Sequence, residues 1–289
     1  MEAEAGDAPL DQVDEVGIAT TFRHLAREIG RFVGIDVRTK VGGIEVLTPS
    51  TFDFLDRLRR RGDFTRAELK QLEKHVLSLE SSWIPRARAV WLASMSLNHA
   101  AEEAAHFVRF AAVGKARHQQ ASLLGGMDRS RPHDEAFWAR CLEEALGFLG
   151  SRLVNPQRRC ISLDEWVSHF EASQNGKRKR RDVVNQRAIR SADESAGAVA
   201  AFTLAISTAL RDEPRLAQRL IPEEQDEQFH GVSHALGYLV GDALARAHSK
   251  KKLTTRELAA LFVDPFDDPA GTFATLARRF QAFGRSADH

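Results

Sequence analysis

The sequence predicts a mainly α-helical, multi-helix bundle with at most one short β-hairpin near its N-terminus. Three observations carry that expectation. Helix-capping pairs recur along the chain at Thr65/Glu68, Ser162/Glu165 and Thr254/Glu257. Two stretches, Arg86–Val113 and Ala196–Leu210, are apolar around most of their circumference, as the central helices of a bundle are. Only Val41-Gly42-Gly43, flanked by β-branched residues, reads as a hairpin turn.

The elements follow in order. Residues 1–16 carry Glu2, Glu4, Asp7, Asp11, Asp14 and Glu15 without a single Lys or Arg, which predicts a flexible acidic tail. A single helical domain is expected from 17 to 289. It opens with an amphipathic helix over Ile18–Phe32, and the hairpin signal comes next. Ser50 or Thr51 caps a helix running to Arg60, with Gly62 as its stop. Thr65/Glu68 opens another, to about Ser81. Pro85 precedes the first apolar helix, Arg86–Val113, and Gly125-Gly126 and Pro132 mark the loop before a helix at Asp134–Leu153. Residues 174–190 are polar and strongly basic, and read as an exposed loop. The second apolar helix, Ala196–Leu210, has no charge over fifteen residues, too short for a membrane span. Pro222 opens a helix to about His248, Thr254/Glu257 caps the next, and Asp268-Pro269 starts the last.

With 289 residues, 43% of them hydrophobic, the chain can bury a sizeable core. Its 41 Lys and Arg against 40 Asp and Glu leave a net charge of +1, which gives no case for wholesale attraction to nucleic acid or membrane. Two cysteines, Cys141 and Cys160, form no disulfide framework and suit a reducing, cytoplasmic setting. No phosphate-cradling Gly-rich loop, nucleophile elbow or dinucleotide fingerprint is present, so no nucleotide cofactor is expected.

Chemistry is concentrated in two helices. In LNHAAEEAAHF, residues 97–107, His99, Glu103 and His106 share one face, with Glu102 beside it. In DEQFHGVSHALGY, residues 226–238, Glu227, His230 and His234 line another, and the only tyrosine, Tyr238, follows one turn on. Each helix contains Glu-x-x-His, which places a carboxylate and an imidazole on adjacent turns. The pair resembles the ferritin-like di-metal pattern. That resemblance implies Glu103, His106, Glu227 and His230 as ligands of iron, manganese or zinc, with oxygen chemistry or iron handling as the activity. Glu73, thirty residues before Glu103, would be a further ligand, joined by Glu102, His99 and His234. The second half departs from the pattern, because Glu194 is the nearest upstream acid and is poorly placed.

Two other readings compete. HGVSHALG is similar to the zincin helix, but Gly231 stands where the general-base glutamate belongs. Alternatively the Glu/His cluster is a buried polar network in a non-catalytic helical interaction or scaffold protein, a reading that gains if the acids pair with arginines. Lys177-Arg178-Lys179-Arg180-Arg181 is the sharpest basic cluster and would suit an acidic or phosphate-bearing partner. The lysines at 250–252 follow a helix C-terminus, where the helix dipole favours them. Cys160 follows two arginines that could lower its pKa.

Overall fold

The computed structural model describes residues 15–48, 54–62, 64–67, 69–70, 73, 81–84, 88–92, 96–113, 133–160, 186–212, 214–217, 219–222, 227–264 and 266–283. The acidic segment 1–14, Glu68 of the first capping pair, Ser162/Glu165 and the basic run 177–181 lie outside the described residues.

Apolar residues spaced three and four apart make the first helix, α1 (Glu15–Val33), and Ile18, Phe22, Ala26, Ile29 and Val33 are all buried. The expected hairpin at Gly42-Gly43 is absent. The preceding residues form a helical turn, α2 (Arg38–Val41), and the two glycines lead into a strand, β1 (Glu45–Leu47), whose partner lies elsewhere in the chain. α3 (Phe54–Arg61) stops at Gly62, whose φ of 70° is the left-handed conformation a glycine stop supplies.

The strands β2 (Ser82–Ile84) and β3 (Ala89–Trp91) complete a three-stranded sheet in the order β1-β3-β2. β3 runs parallel to β1, with Val90 opposite Val46, and antiparallel to β2, with Val90 opposite Trp83. The first apolar helix is therefore shorter than the sequence suggested: Ala89–Trp91 are strand, and α4 spans only Leu97–Val113. All three β3 residues are buried, so the continuous apolar character that suggested a buried helix belongs to a central strand.

The remaining helices are α5 (His133–Val154), α6 (Gln186–Asp212), the single turn α7 (Pro214–Ala217), α8 (Glu227–Ser249), α9 (Thr255–Val263) and α10 (Pro269–Arg279). Two expectations shift here. α6 begins at Gln186, inside the segment read as an exposed loop, and α8 begins at Glu227 rather than at Pro222. The predicted capping box is in place on α9: Thr254 Oγ1 accepts from the Glu257 backbone and Glu257 Oε2 accepts from the Thr254 backbone. Asp268 caps α10, with Pro269 in its first turn.

The architecture is mainly α, with α5 packed between α4 and α8. α1 lies against α4, α6 against α8, and α10 against α5. One apolar core runs through these helices from Ile18 to Phe283, and a smaller cluster around Leu47, Leu58, Ile84 and Trp91 lies at the sheet. α5 and α8 approach so closely that a Cβ at Gly237 would fall 2.5 Å from Glu144 Cβ and 2.8 Å from the Cys141 carbonyl oxygen. Among the described residues no helix is long and apolar enough to cross a membrane.

Candidate functional site

The close contact of α4, α5 and α8 brings a set of buried ionisable side chains together. Burying an unpaired carboxylate costs several kcal/mol, about 3–5 where a partner is lost, so each acid must find a counter-charge or keep its proton. Four acids are involved: Glu102 and Glu103 from α4, and Glu143 and Glu144 from α5. Each is at most 7% exposed.

Three of them meet arginines. Glu102 Oε1 lies 2.6 Å from Arg158 Nη1, in the segment just after α5. Arg158 is held there by stacking on Phe148, 4.5 Å from the ring centre, and by a 2.5 Å hydrogen bond to Ser151 Oγ. The Tyr238 hydroxyl of α8 also hydrogen-bonds Glu102. Glu143 Oε1 accepts from Arg109 Nε of α4 at 2.5 Å. The same guanidinium donates to the carbonyls of Leu261, Phe262 and Asp264 at 3.2, 3.1 and 2.8 Å, and packs over Phe266, so it ties α4 to the C-terminal end of α9. Glu144 is bracketed by Arg140 Nη2 at 3.2 Å and by His234 Nε2 of α8 at 2.9 Å.

The proton positions follow from these partners. Burial opposes ionisation of Glu144, but His234 and Arg140 overcome it and hold the carboxyl well below the usual glutamate range. Burial likewise opposes charging of His234, and Glu144 outweighs it, so the imidazole titrates above its usual value. Glu103 goes the other way. Burial, then the charges of Glu102 and Glu144, push it well above the usual range, outweighing a backbone hydrogen bond from Trp83 and the charge of Arg140, and Oε2 has no hydrogen-bond partner among the described residues. Glu103 is therefore the proton-holding acid of the cluster. His106, 5% exposed, stands with Nδ1 4.0 Å from Glu143 Oε2. Its ring lies against Gly147, where any Cβ would sit 2.7 Å from Nε2.

These positions overturn the metal reading. Among the described residues no group of three or more His, Cys, Asp or Glu side chains is arranged to hold a metal ion. The reason is physical: oxygen atoms of Glu102, Glu143 and Glu144 already face arginine or histidine nitrogens, so cations of the protein occupy the places that ligands would turn toward a metal. Of the residues singled out in the sequence, Glu102, Glu103, His106 and His234 do converge on this cluster, together with Tyr238. His99 is half-buried one to two turns before His106. Glu73 is elsewhere, 46% exposed and 3.9 Å from Arg59. The side chains of Glu227 and His230 lie outside the described residues, although their backbone is helical. Gly231, the anomaly of the zincin comparison, serves packing: a Cβ there would fall 2.7 Å from Val199 Cγ2 of α6.

Sequence reasoning missed Arg109, Arg140, Glu143, Glu144 and Arg158. Arg140 and Glu144 are four apart in the apolar middle of a helix, with Glu143 beside them, a detectable signal for a buried pair. Nothing local marks Arg158. The expectation for Cys160 is also reversed. Burial and then Asp242 push its thiol up to about 12, against the arginines at 158, 246 and 152. Burial raises Cys141 well above the usual thiol value too. The chain matches no protein-family model, no curated protein and no solved structure at a significant level.

Proposed function

We propose that the buried cluster fixes the register of α4, α5 and α8, and that the chain acts as a helical interaction scaffold. One observation carries this reading: the counter-charges of the acids come largely from other elements. Arg109 reaches from α4 to Glu143 on α5, His234 from α8 to Glu144 on α5, and Arg158 and Tyr238 reach Glu102 from beyond α5 and from α8. Sliding any helix by one residue would break several of these contacts and leave charges buried and unpaired, which an apolar core would tolerate far better. We place the protein in the cytoplasm, a setting that two cysteines not joined in a disulfide suit.

The test compares Glu144→Leu with Arg140→Leu/Glu144→Leu, by urea unfolding and amide NMR. The single variant strands Arg140 and His234 and loses about 3–5 kcal/mol. The double variant recovers much of that stability but shows broadened or doubled amide signals along α5 and α8. A double variant that is both stable and a single sharp species would overturn the register role.

A further inference from the structure

One edge of the fold carries charge that the fold does not need. α8 ends at Ser249 and is followed by Lys250, Lys251 and Lys252, all exposed. The helix closes by a backbone pattern in which Lys252 N–H bonds the Ala247 carbonyl at 2.8 Å and Lys251 N–H bonds the His248 carbonyl at 2.9 Å. This closure places Lys251 in the left-handed region, at φ 57°. α1 and α10 end with the same pair of bonds, and there the position belongs to Gly34, at φ 77°, and to Gln281, at φ 52°. A lysine at such a position is strained where glycine is free.

The next helix adds to the charge. Arg256 is exposed in the first turn of α9, where the helix dipole disfavours a cation. Glu257 is the acid of this turn, and it is already engaged by Thr254 and by Arg279 at 2.7 Å. Of Lys250, Lys251, Lys252, Arg256 and Arg279, it is Arg279 that is bonded to this acid. None of the first four makes an ion pair among the described residues. The C-terminal dipole of α8 accounts for Lys250, but not for a lysine in the left-handed region or an arginine at a helix start.

We infer that this edge, Lys250–Lys252 with Arg256 and Arg279, binds the phosphate backbone of duplex nucleic acid without reading its sequence. A phosphate polymer needs only closely spaced cations, and strained or unfavourably placed groups that persist on a surface point to a binding role. The exposed large apolar side chains among the described residues are Leu204, Leu216 and Val263. None is aromatic, and the one ring beside these cations among the described residues, Phe280, is half-buried under the Arg279 guanidinium, 4.8 Å from its centre, which favours a duplex over a single strand. None of the three lies within the charged run itself, so an acidic peptide would find no apolar anchor at its centre. This inference is independent of the role proposed for the buried cluster.

The experiment titrates the full chain into a fluorescent 30-base-pair duplex of arbitrary sequence and follows anisotropy at several salt concentrations. The comparison protein is Lys250→Glu/Lys252→Glu/Arg256→Glu, whose changes are all at exposed positions, with circular dichroism to confirm its fold. A second comparison replaces residues 177–181 by alanine. The expected result is salt-sensitive duplex binding that the triple variant weakens at least tenfold, with a salt slope smaller by about 2–3, while the 177–181 variant still binds. Absence of duplex binding at low salt, an unchanged triple variant, loss of binding only in the 177–181 variant, or preference for poly-glutamate over the duplex would each overturn it.

Discussion

Replacing Gly237 by alanine probes the close approach of α8 to α5 on which the His234–Glu144 contact depends. A Cβ at this position would meet Glu144 Cβ at 2.5 Å, the Cys141 carbonyl at 2.8 Å and the Ala145 nitrogen at 3.0 Å. Two of these three atoms are backbone and cannot swing aside. Ordinary carbon contacts lie at about 3.5–4.0 Å, so α8 must retreat from α5 by roughly 1 Å or more. The 2.9 Å contact between His234 and Glu144 would then stretch toward 4 Å, beyond hydrogen-bond range. Overpacking costs about 1–3 kcal/mol and the weakened charged contact about 1 more, while alanine regains about 1 kcal/mol of helix propensity. The net expectation is a loss of about 1–3 kcal/mol, read as a lower urea midpoint with unchanged slope, together with a fall in the His234 pKa by NMR titration. Gly42→Ala is the control, since its φ is −62° and nothing lies within 4 Å of its added Cβ. A Gly237→Ala protein at least as stable as wild type, with His234 titrating as before, would refute the packing described for α5 and α8.

Glu103→Gln should flatten the pH dependence of stability. The folded carboxyl keeps its proton above 4.5, where the unfolded chain releases it, so Glu103 makes stability fall as pH rises toward its raised folded value. The amide has no proton to lose, and unfolding measured from pH 5 to 8 should show the variant gaining on wild type as pH rises. Lys251→Gly should stabilise by about 1 kcal/mol, seen as a higher melting temperature, by removing left-handed strain. Thr254→Ala should cost about 1 kcal/mol in urea unfolding by opening the start of α9. Gly147→Ala should displace the His106 ring, whose Nε2 would lie 2.7 Å from the new Cβ, and shift its NMR signals.

What could be read from the sequence was local. The Thr254/Glu257 box, the Asp268-Pro269 start and the Gly62 stop each depend on residues within one turn, and the structure places all three as expected. The sheet depends on partners far apart: Val46 pairs with Val90, and three-residue strands are too short to show alternation. The site divides in the same way. His106 with Glu103 stood out because helical spacing puts them on one face, and their burial was foreseeable from the alanines around them. The ion pairs around them were not, because Arg158, which meets Glu102, comes from an irregular segment after α5 and the contact of Glu144 with His234 spans ninety residues. A search for metal-binding spacing counts carboxylates and imidazoles but not the arginines that neutralise them.

The most direct test of the ion-paired cluster is a double-mutant cycle between Glu144→Gln and His234→Gln, with stability measured at pH 6 and pH 9. The contribution of His234 is fully present below its usual value of 6.5 and is lost as pH rises through its raised folded value. That of Glu144 is present above 4.5 and is lost only as pH falls through its depressed value. Both are in force at pH 6. The account predicts a coupling of about 1 kcal/mol there, between the values for surface and buried pairs because solvent reaches the imidazole, and a smaller coupling at pH 9. Additive single effects at pH 6 would contradict it, and would mean that the Glu144–His234 pair does not help to hold α8 to α5.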